Sequence, residues 1–191
     1  IRSAKDFVTR KWHKFPVETR EDWEHMTARY NPHGKGRHPD DLDALCAELV
    51  DREGYLNIHF NGPFWQLREW VGFENLCMMM LDDPGWVEEM IQFWTDFVSD
   101  TLAPVLERIT PDQVGMSEDM AYKHASMISP DMVRRFLVPA YERWVPQIRE
   151  SGCEVVFMDS DGKIDELIPI WIESGINCCG TVEGASEKDI V

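Results

Sequence analysis

The stretch that most constrains the fold is residues 115–130, where an apolar, strand-like pattern ends in two adjacent acids, Glu118 and Asp119. A polar loop follows these acids, and the chain then takes on the spacing of a helix that begins with a serine cap and a proline. A second copy of the pattern lies further along the chain, where an apolar run passes into Asp159 and Asp161. The repetition predicts βα units that carry acids at the carboxyl ends of their strands.

The remaining hydrophobic periodicity extends this pattern to four strands separated by helices. We predict strands near residues 55–60, 113–116, 154–158 and 176–181. We predict helices near residues 19–29, 40–52, 84–109, 130–150 and 165–174. Strands that are joined through helices form a parallel sheet with right-handed crossovers. A closed (β/α)8 barrel needs eight such units and about 250 residues, so the sequence predicts an α/β chain of the TIM-barrel class that covers roughly half of the barrel.

Composition limits the classes of partner. The chain of 191 residues is 43% hydrophobic and 28% charged, as in ordinary globular proteins, and contains no apolar run of membrane-spanning length. Its formal net charge of −16 opposes binding to nucleic acid or to an anionic membrane surface. The N-terminal residues lack a signal-peptide pattern, and the five cysteines lack the spacing of a disulfide framework or a metal site. We therefore expect a cytoplasmic protein, and the absence of an initiator methionine leads us to expect a piece of a longer chain.

Polar residues follow every predicted strand. If the strands are parallel, their carboxyl ends meet at one mouth. Core packing does not explain a polar group at the end of every strand, because burying an unpaired carboxylate costs free energy. Crowded acids raise one another's pKa, which suits either an acid/base pair or a metal site. The residues that we expect at this mouth, in strand order, are His59 and Asn61, Glu118 and Asp119, Asp159 and Asp161, and Glu183.

From this set we predict individual roles. The candidate catalytic residues are Glu118, Asp119, Asp159 and His59. The candidate substrate-binding residues are Asn61, Tyr122, Lys123 and Glu183, and the candidate metal ligands are Asp159 and Asp161. Oxygen ligands of this kind would bind zinc or a harder divalent cation.

Other interpretations stay open for four of these residues, namely His59, Asp161, Glu118 and Asp119. His59 would also be explained as a hydrogen-bonded core histidine, and Asp161 with Gly162 would also make a plain turn and helix cap. Glu118 and Asp119 should point in opposite directions if both continue the strand, so that at most one of them faces the mouth directly.

Residues 54–191 resemble the uroporphyrinogen decarboxylase superfamily, which also contains corrinoid-dependent methyltransferases. The resemblance depends on several short motifs taken together. They are Asn61-Gly-Pro-Phe64, Gly72-Phe-Glu-Asn-Leu76, Gly115-Met-Ser-Glu-Asp-Met-Ala-Tyr-Lys123, Ile128-Ser-Pro130, Val156-Phe-Met-Asp-Ser-Asp-Gly162, Leu167-Ile-Pro169 and Trp171-Ile-Glu-Ser-Gly-Ile-Asn177. The resemblance implies a (β/α)8 barrel in which residues 1–53 form an N-terminal helical and loop segment and residues 54–191 form the central βα units.

The sequence departs from both activities of that superfamily. Its methyltransferases often carry His-x-Cys after the third of these strands, with a later cysteine, to hold zinc and activate a thiol, whereas this chain has Asp159 and Asp161 there. Its decarboxylases use an arginine-rich N-terminal segment to hold substrate carboxylates, and nothing here matches that segment. A tyrosine expected after the Gly-Pro motif is also absent from residues 66–70.

The resemblance and the acidic mouth together favour a methyltransferase-like enzyme that moves a methyl group between a small methylated compound and a corrinoid. Such an enzyme would use the corrinoid and a divalent metal as cofactors, and a corrinoid protein is the expected partner. The first alternative is decarboxylation of uroporphyrinogen, a tetrapyrrole substrate of porphyrin biosynthesis, without a cofactor. The second is a non-catalytic barrel fragment, or a half-barrel completed by another chain, because exposed strand edges favour association and homo-oligomers.

Overall fold

The computed structural model describes residues 13–181, in which four strands form one parallel sheet in the order β1-β2-β3-β4. The strands are β1 (Asn57–Asn61), β2 (Gln113–Ser117), β3 (Val155–Asp159) and β4 (Cys178–Gly180). Each strand pairs in parallel with the next, as predicted. The predicted fourth strand is shortened to three residues.

Helices lead from each strand to the next and also precede the first one. They are α1 (Arg20–Thr27), α2 (Leu42–Val50), α3 (Pro63–Val71), α4 (Phe73–Asp82), α5 (Pro84–Leu106), α6 (Pro130–Met132), α7 (Val138–Glu150) and α8 (Ile168–Glu173). A π-helical turn at Val133–Leu137 joins α6 to α7, and the second residue of α7, Pro139, has no N–H to donate to a regular helical hydrogen bond.

Two predicted helix starts are confirmed by their caps, and one is wrong. The Asp83 carboxylate accepts a hydrogen bond from the Trp86 N–H at 3.2 Å, and the Ser129 hydroxyl accepts one from the Met132 N–H at 3.2 Å. The last helix was expected to start near residue 165, but a turn ending at Leu167 precedes it, and α8 begins at Ile168.

The two faces of the sheet differ in burial. Alternate side chains of the central strands, including Val114, Met116, Val156 and Met158, are fully buried beneath the helices. On the same side, the Phe60 ring meets the Trp144 ring of α7 edge-on at 5.1 Å. The opposite side, which we call the open face, is defined by His59, Asn61, Gly115, Ser117 and Asp159.

This architecture is consistent with part of a (β/α) barrel, although residues 13–181 do not close one. Strands β1 and β4 are the two edges of the sheet. Within the same residues no helix is both long enough and apolar enough to cross a membrane. The division of the chain at residues 53 and 54 stays a prediction.

Candidate active site

A chain of hydrogen bonds crosses three strands of the open face at their carboxyl ends. His59 Nε2 lies 2.7 Å from Ser117 Oγ, and the Ser117 hydroxyl donates to Asp159 Oδ2 at 2.9 Å. The strand register produces this alignment, because Ser117 is paired with Asn61 on one side and with Asp159 on the other. The structure thus brings two of the predicted catalytic residues together through a serine.

A glycine makes room for the histidine in this chain. His59 is registered with Gly115 on the neighbouring strand, and its ring lies across that position. A Cβ atom at position 115 would collide with His59 Nδ1 and lie 2.9 Å from Cε1. Gly115 therefore lets the imidazole extend sideways to Ser117.

Glu118, the residue after Ser117, lies on the other side of the sheet and is completely buried. Its Oε1 accepts a hydrogen bond from the Tyr141 hydroxyl at 2.6 Å, and its Oε2 accepts one from the Trp65 N–H at 3.0 Å. Trp65 is the third residue of α3, whose N-cap, Gly62, has no side chain with which to accept such a bond. The Glu118 carboxyl group therefore caps α3 from a distant part of the chain.

Burial raises the pKa of Glu118 to about 7, against the opposing influence of its hydrogen bonds and of the nearby Arg68 charge. Burial, reinforced by the charge of Glu118, also raises the pKa of the Tyr141 hydroxyl well above its usual value. Glu118 is therefore a carboxyl group that can change its protonation near neutral pH inside the protein. Its assignment as a catalytic residue stays a prediction.

The Asp119 side chain, unlike that of Glu118, is hydrogen-bonded to the loop that follows β3. Its backbone has a φ of 41°, a left-handed conformation that aspartate tolerates better than most residues. Arg68 Nη1 donates to the Asp119 carbonyl oxygen at 2.7 Å, and the Asp161 N–H donates to Asp119 Oδ1 at 3.2 Å. Burial raises the pKa of the Asp119 carboxyl, and the charges of Asp161 and Asp159 raise it further.

The predicted substrate-binding residues Tyr122 and Lys123 lie at the tip of a short hairpin beyond β2. The hairpin is closed by hydrogen bonds from the Tyr122 N–H to the Ala125 carbonyl and from the Met127 N–H to the Met120 carbonyl, both 2.8 Å. Tyr122 is 56% exposed, and Lys123 is exposed beside it. The Tyr122 ring also meets the Phe73 ring edge-on at 6.3 Å, and the binding roles of both residues stay predictions.

The hairpin packs closely on the bend that contains Asp161. Gly162 has a φ of 81°, and a Cβ there would collide with the Ala121 carbonyl oxygen and lie 2.8 Å from that of Tyr122. The chain bends at this dipeptide, but the helix cap that was part of the simpler interpretation is wrong, because α8 begins only at Ile168 after Leu167; the Asp161 side chain is exposed.

The two other predicted binding residues differ in what the structure says of them. The Asn61 side-chain amide donates to Gln66 Oε1 at 3.0 Å, which connects the end of β1 to α3. Glu183 lies outside the described residues.

The donor set for a metal is incomplete in residues 13–181. Asp159 and Asp161 are both near the mouth, but the described part of the chain has no group of three His, Cys, Asp or Glu residues placed to hold an ion. Structural and catalytic zinc sites use at least three protein ligands. These residues alone therefore do not complete a zinc site, the role of Asp159 and Asp161 as ligands of a harder cation stays a prediction, and we derive no chemical step through a metal.

Sequence reasoning missed several residues on which the site depends, namely Gly62, Arg68, Gly115, Ser117 and Tyr141. Tyr141 was included only in the apolar face of the helix over 130–150, and Ser117 is an ordinary strand residue. The signal that would have found Ser117 is the register itself, since it places the hydroxyl between β1, which carries His59, and β3, which ends in Asp159.

Comparison with known proteins supports the fold. No protein-family model and no curated protein matches the chain. Among solved structures, a methyltransferase from Methanosarcina mazei matches it with a TM-score of 0.56 and 16% sequence identity. The match covers 76% of this chain and 46% of that protein, so this chain spans less than half of its length. At this identity the likeness concerns the fold.

Proposed function

We propose that this chain belongs to a methyltransferase-like enzyme of the uroporphyrinogen decarboxylase superfamily, which moves a methyl group between a small methylated compound and a corrinoid. The observation that carries the proposal is the hydrogen-bonded chain of His59, Ser117 and Asp159 at the carboxyl ends of three parallel strands. Ligands of barrel enzymes bind at this end of the strands. A protein named as a methyltransferase shares the fold, which supports the choice of chemistry.

Methyl transfer needs few groups from the protein. An electron pair on the acceptor attacks the methyl carbon while the bond from that carbon to its donor breaks, and a base removes any proton that the acceptor carries. His59 and Asp159 provide an imidazole and a carboxylate for this purpose on a face open to a ligand. The corrinoid, when bound, would supply the carrier of the methyl group, and the residues of this chain would bind and orient the methylated compound.

The charge at the mouth favours methyl transfer over decarboxylation of uroporphyrinogen. Asp119, Asp159 and Asp161 lie close enough together that the charges of the other two raise the pKa of Asp119. A substrate rich in carboxylates would add like charges to this group and be repelled. A small neutral or cationic methylated compound meets no such cost.

The test is the substitution Asp159→Ala in the full-length protein. We would follow methyl transfer from methylcobalamin to thiols, amines and alcohols, which carry a proton for the base to remove, by the change in corrinoid absorbance. We expect the rate to fall by about 100-fold or more, the usual contribution of a positioned acid or base. The matched control is Asp100→Ala, which removes an exposed carboxylate from α5 and should leave the rate unchanged.

Three outcomes would contradict the proposal. An unchanged rate in the Asp159→Ala variant would reject the assignment of the site. Formation of coproporphyrinogen from uroporphyrinogen would support the decarboxylase. A full-length protein that melts cooperatively and turns over neither class of substrate would support the non-catalytic alternative.

A further inference from the structure

We propose that Ser117 is a positioning residue that, together with Asp159, fixes the tautomer of His59 and leaves Nδ1 as the nitrogen that accepts a proton. The observations behind it are the two hydrogen bonds of Ser117 and the position of the imidazole over Gly115.

The number of available protons determines the direction of each hydrogen bond. A serine hydroxyl has one proton to donate, and an ionised carboxylate can only accept. The Ser117 proton is therefore used in the bond to Asp159, and Ser117 Oγ has only lone pairs to offer His59. Because Ser117 Oγ must accept, His59 Nε2 must carry the proton, and in a neutral imidazole Nδ1 is then unprotonated.

The position of Nδ1 agrees with a role as acceptor. It lies above Gly115, at a position whose other near neighbour is the Phe157 ring, and no atom of residues 13–181 is hydrogen-bonded to it. The His59 side chain is exposed on the open face, which places the imidazole within reach of a ligand.

The consequence for catalysis rests on the function proposed above. An acceptor that carries an O–H, N–H or S–H group would transfer its proton to Nδ1, and the electron pair left on the acceptor would attack the methyl carbon. The bond between that carbon and its donor breaks, and its electron pair stays with the donor. The resulting imidazolium still donates through Nε2 to Ser117, and Ser117 still donates to Asp159, so the carboxylate stabilises the new positive charge through the serine.

The test determines the tautomer directly by nuclear magnetic resonance of the 15N-labelled full-length protein, at a pH high enough that its histidines are neutral. A His59→Gln variant assigns the resonances. We expect the wild-type protein to show a slowly exchanging Nε2–H proton and an unprotonated Nδ1. Ser117→Ala should lose that proton resonance, whereas Ser117→Thr, which retains the hydroxyl, should keep it. Asp159→Ala should also change the spectrum, because the freed hydroxyl proton of Ser117 can then be donated to Nε2.

Two results would overturn the inference. The first is a proton on Nδ1 of His59 in the wild-type protein. The second is a His59 spectrum that is the same in the wild type and in Ser117→Ala. Because these spectra do not require turnover, a protein with the expected tautomer and no methyl transfer would reject the proposed function and leave the inference standing. Methyl transfer by a protein with the opposite tautomer would do the reverse.

Discussion

The two polar clusters that start from Ser117 and Glu118 differ in almost every respect except their position in the chain. The cluster on the open face joins Ser117 to His59 and Asp159, and its histidine is exposed. The cluster beneath the sheet joins Glu118 to Tyr141 and to the start of α3, and its carboxyl group is completely buried.

The difference shows that the carboxyl end of β2 contributes to two separate clusters, one on each side of the sheet. The carboxyl group beneath the sheet uses both oxygens to hold a helix and a tyrosine, so a change there has to be absorbed by close-packed neighbours. The open-face cluster keeps one imidazole nitrogen without a partner among the described residues, and its outermost side chain can rotate into solvent. The buried cluster therefore affects folding most strongly, and the open one affects chemistry.

The substitution Gly62→Ala tests the buried cluster and has the largest expected effect. The new Cβ would collide with Glu118 Cδ and lie 2.6 Å from Oε2, where the carboxyl group has no free space to enter. Overpacking typically costs about 1–3 kcal/mol, and the displaced carboxyl would also lose hydrogen bonds to Tyr141 and Trp65. We expect the free energy of unfolding to fall by about 4 kcal/mol, measured by denaturant titration with tryptophan fluorescence.

Gly54→Ala is the matched control for this experiment. A Cβ at position 54 meets no atom within 4 Å, so the free energy of unfolding should change by no more than about 0.5 kcal/mol. Equal effects of the two substitutions would show that the close approach of Glu118 to Gly62 does not limit the packing.

The substitution Glu118→Gln should alter how stability depends on pH. The pKa of Glu118 is raised from 4.5 to about 7 in the folded protein, so folding favours the protonated form. Its stabilising contribution is complete below pH 4.5 and is lost as the pH rises through 7, a change of about 3 kcal/mol. Glutamine resembles the protonated form, since it can accept from the Trp65 N–H and donate to the Tyr141 oxygen.

We therefore expect the variant and the wild type to unfold with similar free energies at pH 4, and the variant to be the more stable of the two at pH 8. Unfolding titrations across this pH range provide the measurement. Glu166→Gln, at an exposed position, should leave the pH dependence unchanged. A wild-type pH dependence that persists in Glu118→Gln would mean that another group causes it.

The parallel sheet was predictable because its signals are local. Apolar runs such as 155–158 mark buried strands, and Asp83 and Ser129 mark the helices that follow. Helices α3 and α4 were not predicted. The N-cap of α3 is Gly62, and the group that caps this helix belongs to Glu118, which is distant in sequence.

The candidate site was predictable as a set of residues but not as an arrangement. The sequence indicated that acids follow the strands. It does not show on which face of the sheet the side chains of Glu118, Asp119 and Asp159 lie, because that depends on the residue at which each strand ends. Only the register shows that Ser117 lies beside Asp159 on the open face and that Glu118 lies beneath the sheet. A shift of one residue would exchange the two faces.

Of the three substitutions, Gly115→Ala has the smallest expected effect on stability. It gives the most direct comparison of the open-face cluster with the buried one, because the chemical change is the same as in Gly62→Ala. Here too the new Cβ would collide with a side chain distant in sequence, the His59 ring, and lie 2.9 Å from its Cε1. This side chain is exposed, however, and can rotate towards solvent, so we expect the free energy of unfolding to change by no more than about 1 kcal/mol.

The cost of Gly115→Ala should instead fall on function, because the rotated imidazole leaves Ser117. We expect the Nε2–H resonance of His59 to disappear and methyl transfer to slow by about tenfold or more, since a displaced catalytic group can lose a hundredfold in rate. Gly54→Ala should affect neither measurement. If Gly115→Ala unfolded the protein as readily as Gly62→Ala, the open face would be as tightly constrained as the buried cluster, and the division of roles between Ser117 and Glu118 would be wrong.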